Sequence, residues 1–158
     1  MSLDARIAAA STALRNALAG HRSVAFATSF GAEDMVLLDL IDRLALKVDA
    51  FTLDTGRPHE ETYALMARAR ERYPRTPVRV MFPDAARIEA WVAAHGINGF
   101  RDGVELRKAC CGIRKLEPLA RALKGHDLWI TGLRREQSPT RSGVEVLERD
   151  EANGLMKL

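Results

Sequence analysis

The chain has 158 residues, of which 47% are hydrophobic and 28% charged, and a formal net charge of +3. That length suits one domain with a sizeable core, and the composition is that of an ordinary globular protein. The charge is too small to imply nucleic acid. No apolar run reaches the length of a membrane span, and the amino end lacks a basic-then-apolar signal pattern. Two cysteines cannot make a disulfide framework, so the cytoplasm is the expected compartment.

Residues 3–19 place Leu3, Ile7, Leu14 and Leu18 at helical spacing and stop at Gly20, which predicts an amino-terminal helix. Ser23–Thr28 is short and apolar and reads as a buried strand. Ala32–Ala45 follows as a helix, with Val36, Leu37, Leu40, Ile41 and Leu44 expected inward. Val48–Leu53 is a second strand closed by Asp54-Thr-Gly56, and Pro58 suits the first turn of a helix running to about Tyr73. Pro77–Met81 is a third strand, followed by a helix holding Ile88, Trp91 and Val92. Helical segments occupy about 104–123, interrupted near Pro118, which cannot donate a backbone hydrogen bond. Asp127–Thr131 is a fourth strand, and Val144 and Val146 alternate with glutamates as a candidate edge strand.

Strand–helix alternation at these spacings predicts an α/β fold, a doubly wound and mostly parallel sheet with helices on both faces. Such sheets bind ligands at the carboxyl ends of their strands. Three loops leave strands at that edge: Ser29-Phe-Gly31, Asp54-Thr-Gly-Arg57 and Gly132–Arg141. Their convergence predicts a pocket.

In the first loop, Gly31 permits a sharp turn, the following helix start offers free N–H groups to an anion, and Ser29 adds a hydroxyl. Glu33 and Asp34 suit the positive end of that helix but repel a phosphate unless they point away. The loop is neither a Walker loop nor a dinucleotide fingerprint. In the second, Asp54 can accept from a ribose hydroxyl or an adenine amine, while Thr55 and Gly56 offer backbone groups. The same residues also fit an Asx-capped turn. The third loop carries Arg134, Arg135 and Arg141, whose planar donor sets suit phosphate or sulfate, with Arg114 and Lys115 adding charge. The four histidines read as structural, His59 as a helix-surface residue.

Both cysteines lie in Arg107-Lys-Ala-Cys-Cys-Gly-Ile-Arg-Lys115. Neighbouring cysteines rarely bridge, because the small ring strains the peptide between them. Cations around a thiol favour the thiolate, the form that binds metal or attacks, so adjacent Cys110 and Cys111 suggest half of a metal or iron–sulfur site. Core packing of two small residues is the alternative.

In this order, Ser-Phe-Gly-Ala-Glu-Asp, Leu-Asp-Thr-Gly-Arg, Lys-Ala-Cys-Cys-Gly-Ile-Arg-Lys and Gly-Leu-Arg-Arg-Glu-Gln-Ser-Pro-Thr-Arg resemble the assimilatory adenylyl-sulfate reductases of the phosphoadenylyl-sulfate reductase family. The resemblance covers roughly 20–158. It implies a single domain over 1–158 with an adenine-nucleotide α-hydrolase-like fold and the nucleotide across the strand ends. Ser29, Phe30, Gly31, Asp54, Thr55, Gly56 and Arg57 would line the substrate, and Arg134, Arg135 and Arg141 would hold its anionic end. Cys110 and Cys111 would be two ligands of a [4Fe-4S] cluster, with Lys115 between cluster and substrate. A carboxyl-terminal cysteine of the family attacks the sulfur of adenylyl sulfate, AMP leaves, and thioredoxin or glutaredoxin releases sulfite. Neither nucleic acid nor a membrane is implied as a partner, and homo-oligomerisation is left open.

The family's second cysteine pair and its nucleophile would lie beyond Leu158, and the chain has no third cysteine. The expectation is a truncated chain that carries half the cluster ligands, binds no cluster and is not a competent reductase alone. Two rival readings have sequence arguments against them. A pyrophosphatase that adenylates its substrate would carry Ser-Gly-Gly-x-Asp-Ser in the first loop. A nucleic-acid module would carry more aromatics and more charge.

Overall fold

The computed structural model describes residues 2–133 and 145–158. Six strands form one sheet in the order β3-β2-β1-β4-β6-β5. They are β1 (Val24–Ala27), β2 (Asp49–Leu53), β3 (Arg79–Met81), β4 (Leu128–Thr131), β5 (Glu148–Asp150) and β6 (Leu155–Lys157). Every neighbouring pair is parallel except β5 with β6, which is antiparallel. Among the described residues six α-helices accompany them: α1 (Leu3–Ala19), α2 (Ala32–Arg43), α3 (Glu60–Arg72), α4 (Ala85–His95), α5 (Val104–Cys111) and α6 (Glu117–Leu123). The α/β, mostly parallel expectation therefore holds.

Side chains alternate across a strand, and here the alternation sorts the core into two layers. Phe26, Ala50, Leu128 and Ile130 face Leu14 and Ala17 of α1, Leu38 and Ile41 of α2 and Ala69 of α3. Ala25, Phe51 and Leu155 face Ala122 and Leu123 of α6 on the other side. Phe26 and Phe51 are completely enclosed. Burial of side chains this size supplies on the order of 2–3 kcal/mol each, so the β1–β2 centre is the rigid part on which the loops stand.

Several local expectations change. Leu3 and Ile7 are exposed, and in α1 only Leu14 and Ala17 are buried. Val36 points outward, whereas Leu38, Leu40 and Ile41 are buried. Pro58 precedes α3, whose N-cap is His59. The interruption expected near Pro118 takes the form of a π-helical stretch, Gly112–Leu116, with Pro118 buried in the first turn of α6. The π-helical stretch runs directly into that turn, with the Glu117 N–H bonded to the Gly112 carbonyl. Val146 lies outside the strands; the edge strand is β5, and Val144 lies outside the described residues. β6, which the sequence reading passed over, runs between β4 and β5, with Leu128 opposite Met156.

Candidate active site at the switch point of the sheet

From β1 the chain builds β2 and β3 to one side, and β4 then pairs with the other side of β1. Above that reversal the two carboxyl ends part, leaving a crevice that doubly wound sheets use for ligands. A cleft of about 540 Å³ opens there, with Ser29, Thr55, Arg57, Lys115, Trp129 and Gly132 in its wall.

The loop after β1 is built around Asp34. Its buried carboxylate accepts hydrogen bonds from the Ser29 N–H at 2.6 Å, the Ser29 hydroxyl at 2.8 Å and the Gly132 N–H at 3.0 Å. One side chain thus ties the exit of β1, the start of α2 and the exit of β4 together. Phe30 stands at φ 61°, an uncommon setting for a residue with a side chain, and its ring is buried in the core. The Phe30 N–H is taken by the Thr28 hydroxyl at 2.9 Å. Gly31 caps α2 in extended conformation. A β-carbon at Gly132 would sit 2.3 Å from Asp34 Oδ1 and 2.9 Å from the Asp34 nitrogen, so that position requires glycine.

The turn after β2 is held as firmly. Asp54 is buried, and its carboxylate accepts from the Gly56 N–H at 2.7 Å and from the Tyr63 hydroxyl at 3.0 Å. This is the Asx-capped turn of the sequence reading, and it commits the carboxylate to the protein itself. Desolvation raises the Tyr63 pKa, and its bond to Asp54 adds to the shift. Gly56 adopts φ 73°. Arg57 leans away from the turn, donating to the Ile97 carbonyl and lying 4.5 Å from the centre of the Phe100 ring.

Cys110 ends up buried and Cys111 partly exposed, at the junction of α5 with the π-helical stretch. Successive helical residues point about 100° apart, so one thiol turns inward while the other reaches the surface. Four residues after Cys110, Arg114 is buried, and four after Cys111, Lys115 enters the cleft wall. Thiolates are the right donors for iron. Among the described residues, however, no group of three or more His, Cys, Asp or Glu side chains comes together to hold a metal. Two thiols are half of what a [4Fe-4S] cluster takes, so these residues do not form a complete site.

The cleft brings together Ser29, Thr55, Arg57 and Lys115 from the expected set; the side chains of Phe30 and Asp54 are engaged elsewhere. Arg134, Arg135 and Arg141 lie outside the described residues. Sequence reasoning missed Asp34 as the holder of the loop, although its place five residues after Ser29 was a usable signal. It also missed Trp129 and Thr62 in the wall. Three histidines have structural partners: His21 meets the Ala17 carbonyl at 2.7 Å, His126 lies between the Ser23 hydroxyl at 2.9 Å and Asp49 at 3.2 Å, and His95 packs on Trp91. His59, expected on a helix surface, caps α3 and stands in the cleft wall.

The profile of the phosphoadenosine phosphosulfate reductase domain matches residues 23–158. The chain belongs to that family. It is 46% identical over 157 residues to the adenosine 5'-phosphosulfate reductase of Allochromatium vinosum, covering 99% of this chain and 61% of the relative. The adenosine 5'-phosphosulfate reductase of Burkholderia cepacia is 46% identical over 137 residues, covering 87% of this chain and 54% of its own. The chain thus spans little more than half the length of these relatives. Among solved structures, a phosphate complex of phosphoadenylyl-sulfate reductase from Candida auris aligns with TM-score 0.78 at 26% identity, over 94% of this chain and 70% of that one. That structure shares the fold described above.

Proposed function

We propose that this chain is the nucleotide-binding core of a thiol-dependent adenylyl-sulfate reductase in sulfate assimilation, acting in the cytoplasm. The observation that carries the reading is the meeting, over the β1/β4 switch point, of the Ser29 loop with Lys115 of the paired-cysteine segment. The adenosine spans the strand ends, and its sulfated phosphate lies toward Ser29 and Lys115, with Arg134, Arg135 and Arg141 supplying further donors. Lys115 and the Ser29 hydroxyl stabilise charge as it gathers on the departing phosphate. A thiolate attacks the sulfur, the sulfur–oxygen bond breaks, and AMP leaves with the electron pair. The resulting S-sulfonate is reduced by thioredoxin or glutaredoxin, which becomes a disulfide as sulfite is released.

The attacking thiol is assigned to the family cysteine downstream of Leu158, not to Cys110 or Cys111. A [4Fe-4S] cluster, when bound, would take those two thiols and place a polarising charge next to Lys115. Isothermal titration of this chain with adenylyl sulfate and with AMP tests the reading. Saturable binding of both at one site is expected. Well-folded protein that binds neither would overturn it.

A further inference from the structure

We propose a second reactive centre at the opposite edge of the sheet from the nucleotide cleft: Ser23, His126 and Asp49 form a relay that makes Ser23 a nucleophile toward small carboxylic esters. The three residues stand at, or just before, the first residues of β1, β4 and β2. His126 lies between the other two, with Nδ1 2.9 Å from the Ser23 hydroxyl and Nε2 3.2 Å from Asp49 Oδ2. The chemistry of the partners fixes the direction of these bonds. Arg79 donates to both oxygens of Asp49, at 3.0 and 2.5 Å, and this holds the Asp49 pKa below the ordinary range. An ionised carboxylate only accepts, so in the neutral ring Nε2 carries the proton and Nδ1 turns its lone pair to the Ser23 O–H. Nucleophile, base and orienting carboxylate thus follow one another within hydrogen-bond reach. That arrangement activates a serine, and it is recognised by geometry and roles rather than by chain order.

Access separates this relay from a purely structural network. Ser23, His126 and Asp49 all line one open cavity of about 590 Å³, whose wall also includes Arg22, Lys47 and Arg75. Ser23 is half-buried, and 12% of the His126 side chain is exposed. The serine is also held in place. Asp127 accepts from the Arg22 and Ser23 N–H groups at 2.9 and 3.0 Å, which fixes the backbone that carries it. With those N–H groups taken, charge developing on a carbonyl oxygen falls to the cations of the wall, Arg22 and Lys47 before Arg75, which is shared with Asp42. In the reaction, Ser23 Oγ bonds to the carbonyl carbon as its proton passes to His126 Nδ1. The ring gives that proton to the leaving oxygen as the ester C–O bond breaks, and the acyl group stays on Ser23. Water attacks this acyl-serine through the same relay, releasing the acid and restoring the hydroxyl. No electron changes hands, so the sequence needs no oxidant or reductant.

Two probes test the relay on this chain: release of nitrophenolate from 4-nitrophenyl acetate, and covalent capture by a fluorophosphonate, located by peptide mass spectrometry. Folded wild type should carry the phosphonate on Ser23 and not on the exposed Ser2. Ser23→Ala should cut nitrophenolate release by about tenfold or more, and His126→Gln should slow labelling of Ser23 by about a hundredfold. Ser23 left unlabelled in wild type, or label shared equally between Ser2 and Ser23, would refute the proposal. So would nitrophenolate release unchanged in Ser23→Ala, or labelling unchanged in His126→Gln. Should the glutamine form fail to fold, the pH profile of wild-type labelling decides. A rate that rises and then levels off between about pH 5 and pH 8, where histidines titrate, supports the relay. A rate that is flat over that range, or that climbs throughout in proportion to hydroxide, refutes it.

Discussion

Replacing Asp34 by asparagine isolates the group that holds the crevice together. The side chain keeps its shape, loses its charge and exchanges one acceptor oxygen for an NH₂. Two effects oppose each other. Removing a buried charge relieves a desolvation cost, which alone can make such a change neutral. Against this, three donors converge on the carboxylate at 2.6, 2.8 and 3.0 Å, and two of them are backbone N–H groups that cannot turn away. In the asparagine form at least one N–H faces an NH₂, and the remaining bonds lose their charge assistance. Hydrogen bonds to charged groups are worth about 1.5–3 kcal/mol and neutral ones about 1, so the net loss is about 3 kcal/mol. For a chain of this size each kcal/mol moves the melting temperature by roughly 2–4 °C, which gives a drop of roughly 6–12 °C. Thermal unfolding followed by circular dichroism measures it. A drop below about 2 °C with nucleotide affinity unchanged would refute the view that Asp34 organises the site.

Gly132→Ala should be at least as damaging, because the added carbon meets the Asp34 backbone nitrogen as well as its carboxylate; a melting curve equal to wild type would contradict the geometry. In the native protein Cys111 should be alkylated by iodoacetamide several-fold faster than Cys110, which is buried. Peptide mass spectrometry reads the ratio. Asp127 accepts from the backbone N–H groups of Arg22 and Ser23, and these bonds hold its pKa below the ordinary range; at Asp49 the bond from Arg79 does the same. A depressed folded-state pKa contributes stability that is present above the unfolded value, about 4, and lost as pH falls through the folded one. Melting temperature should therefore decline below about pH 4, and less steeply in Asp127→Asn; an unchanged slope would count against that assignment.

The parts that could be read from the sequence are those where local chemistry and global position agree. Val24–Ala27 is apolar on both sides because a central parallel strand is covered on both faces, so its run of small and aromatic residues announced it. β6 escaped notice because Leu155–Lys157 is three residues long and takes its strand identity from pairing with β4, which no local pattern encodes. The inward face of α2 was misjudged at Val36: Val36 and Leu38 are two residues apart and both apolar, yet only Leu38 is buried. In the site, the loops were visible as Gly-rich punctuation after strands. Their ties were not, because Asp34 to Gly132 and Arg114 to Thr55 span 98 and 59 residues of chain.

Those two ties explain why this crevice can discriminate at all. A loop set by its own sequence would move independently of its neighbours, and a ligand would spend binding energy ordering it. Here the β1 loop is bound to the β4 exit through a buried anion, and the β2 turn to the cysteine segment through a buried cation. Both bridging charges are buried, so both bonds are strong when made and costly when broken. The wall residues Ser29, Thr55 and Lys115 are each a neighbour, or a direct partner, of a bridging group. Substitution of either bridge should therefore reach wall residues that it leaves chemically intact. Loosening Asp34, or the Arg114 bond to the Thr55 carbonyl, should weaken adenosine and adenylyl sulfate together.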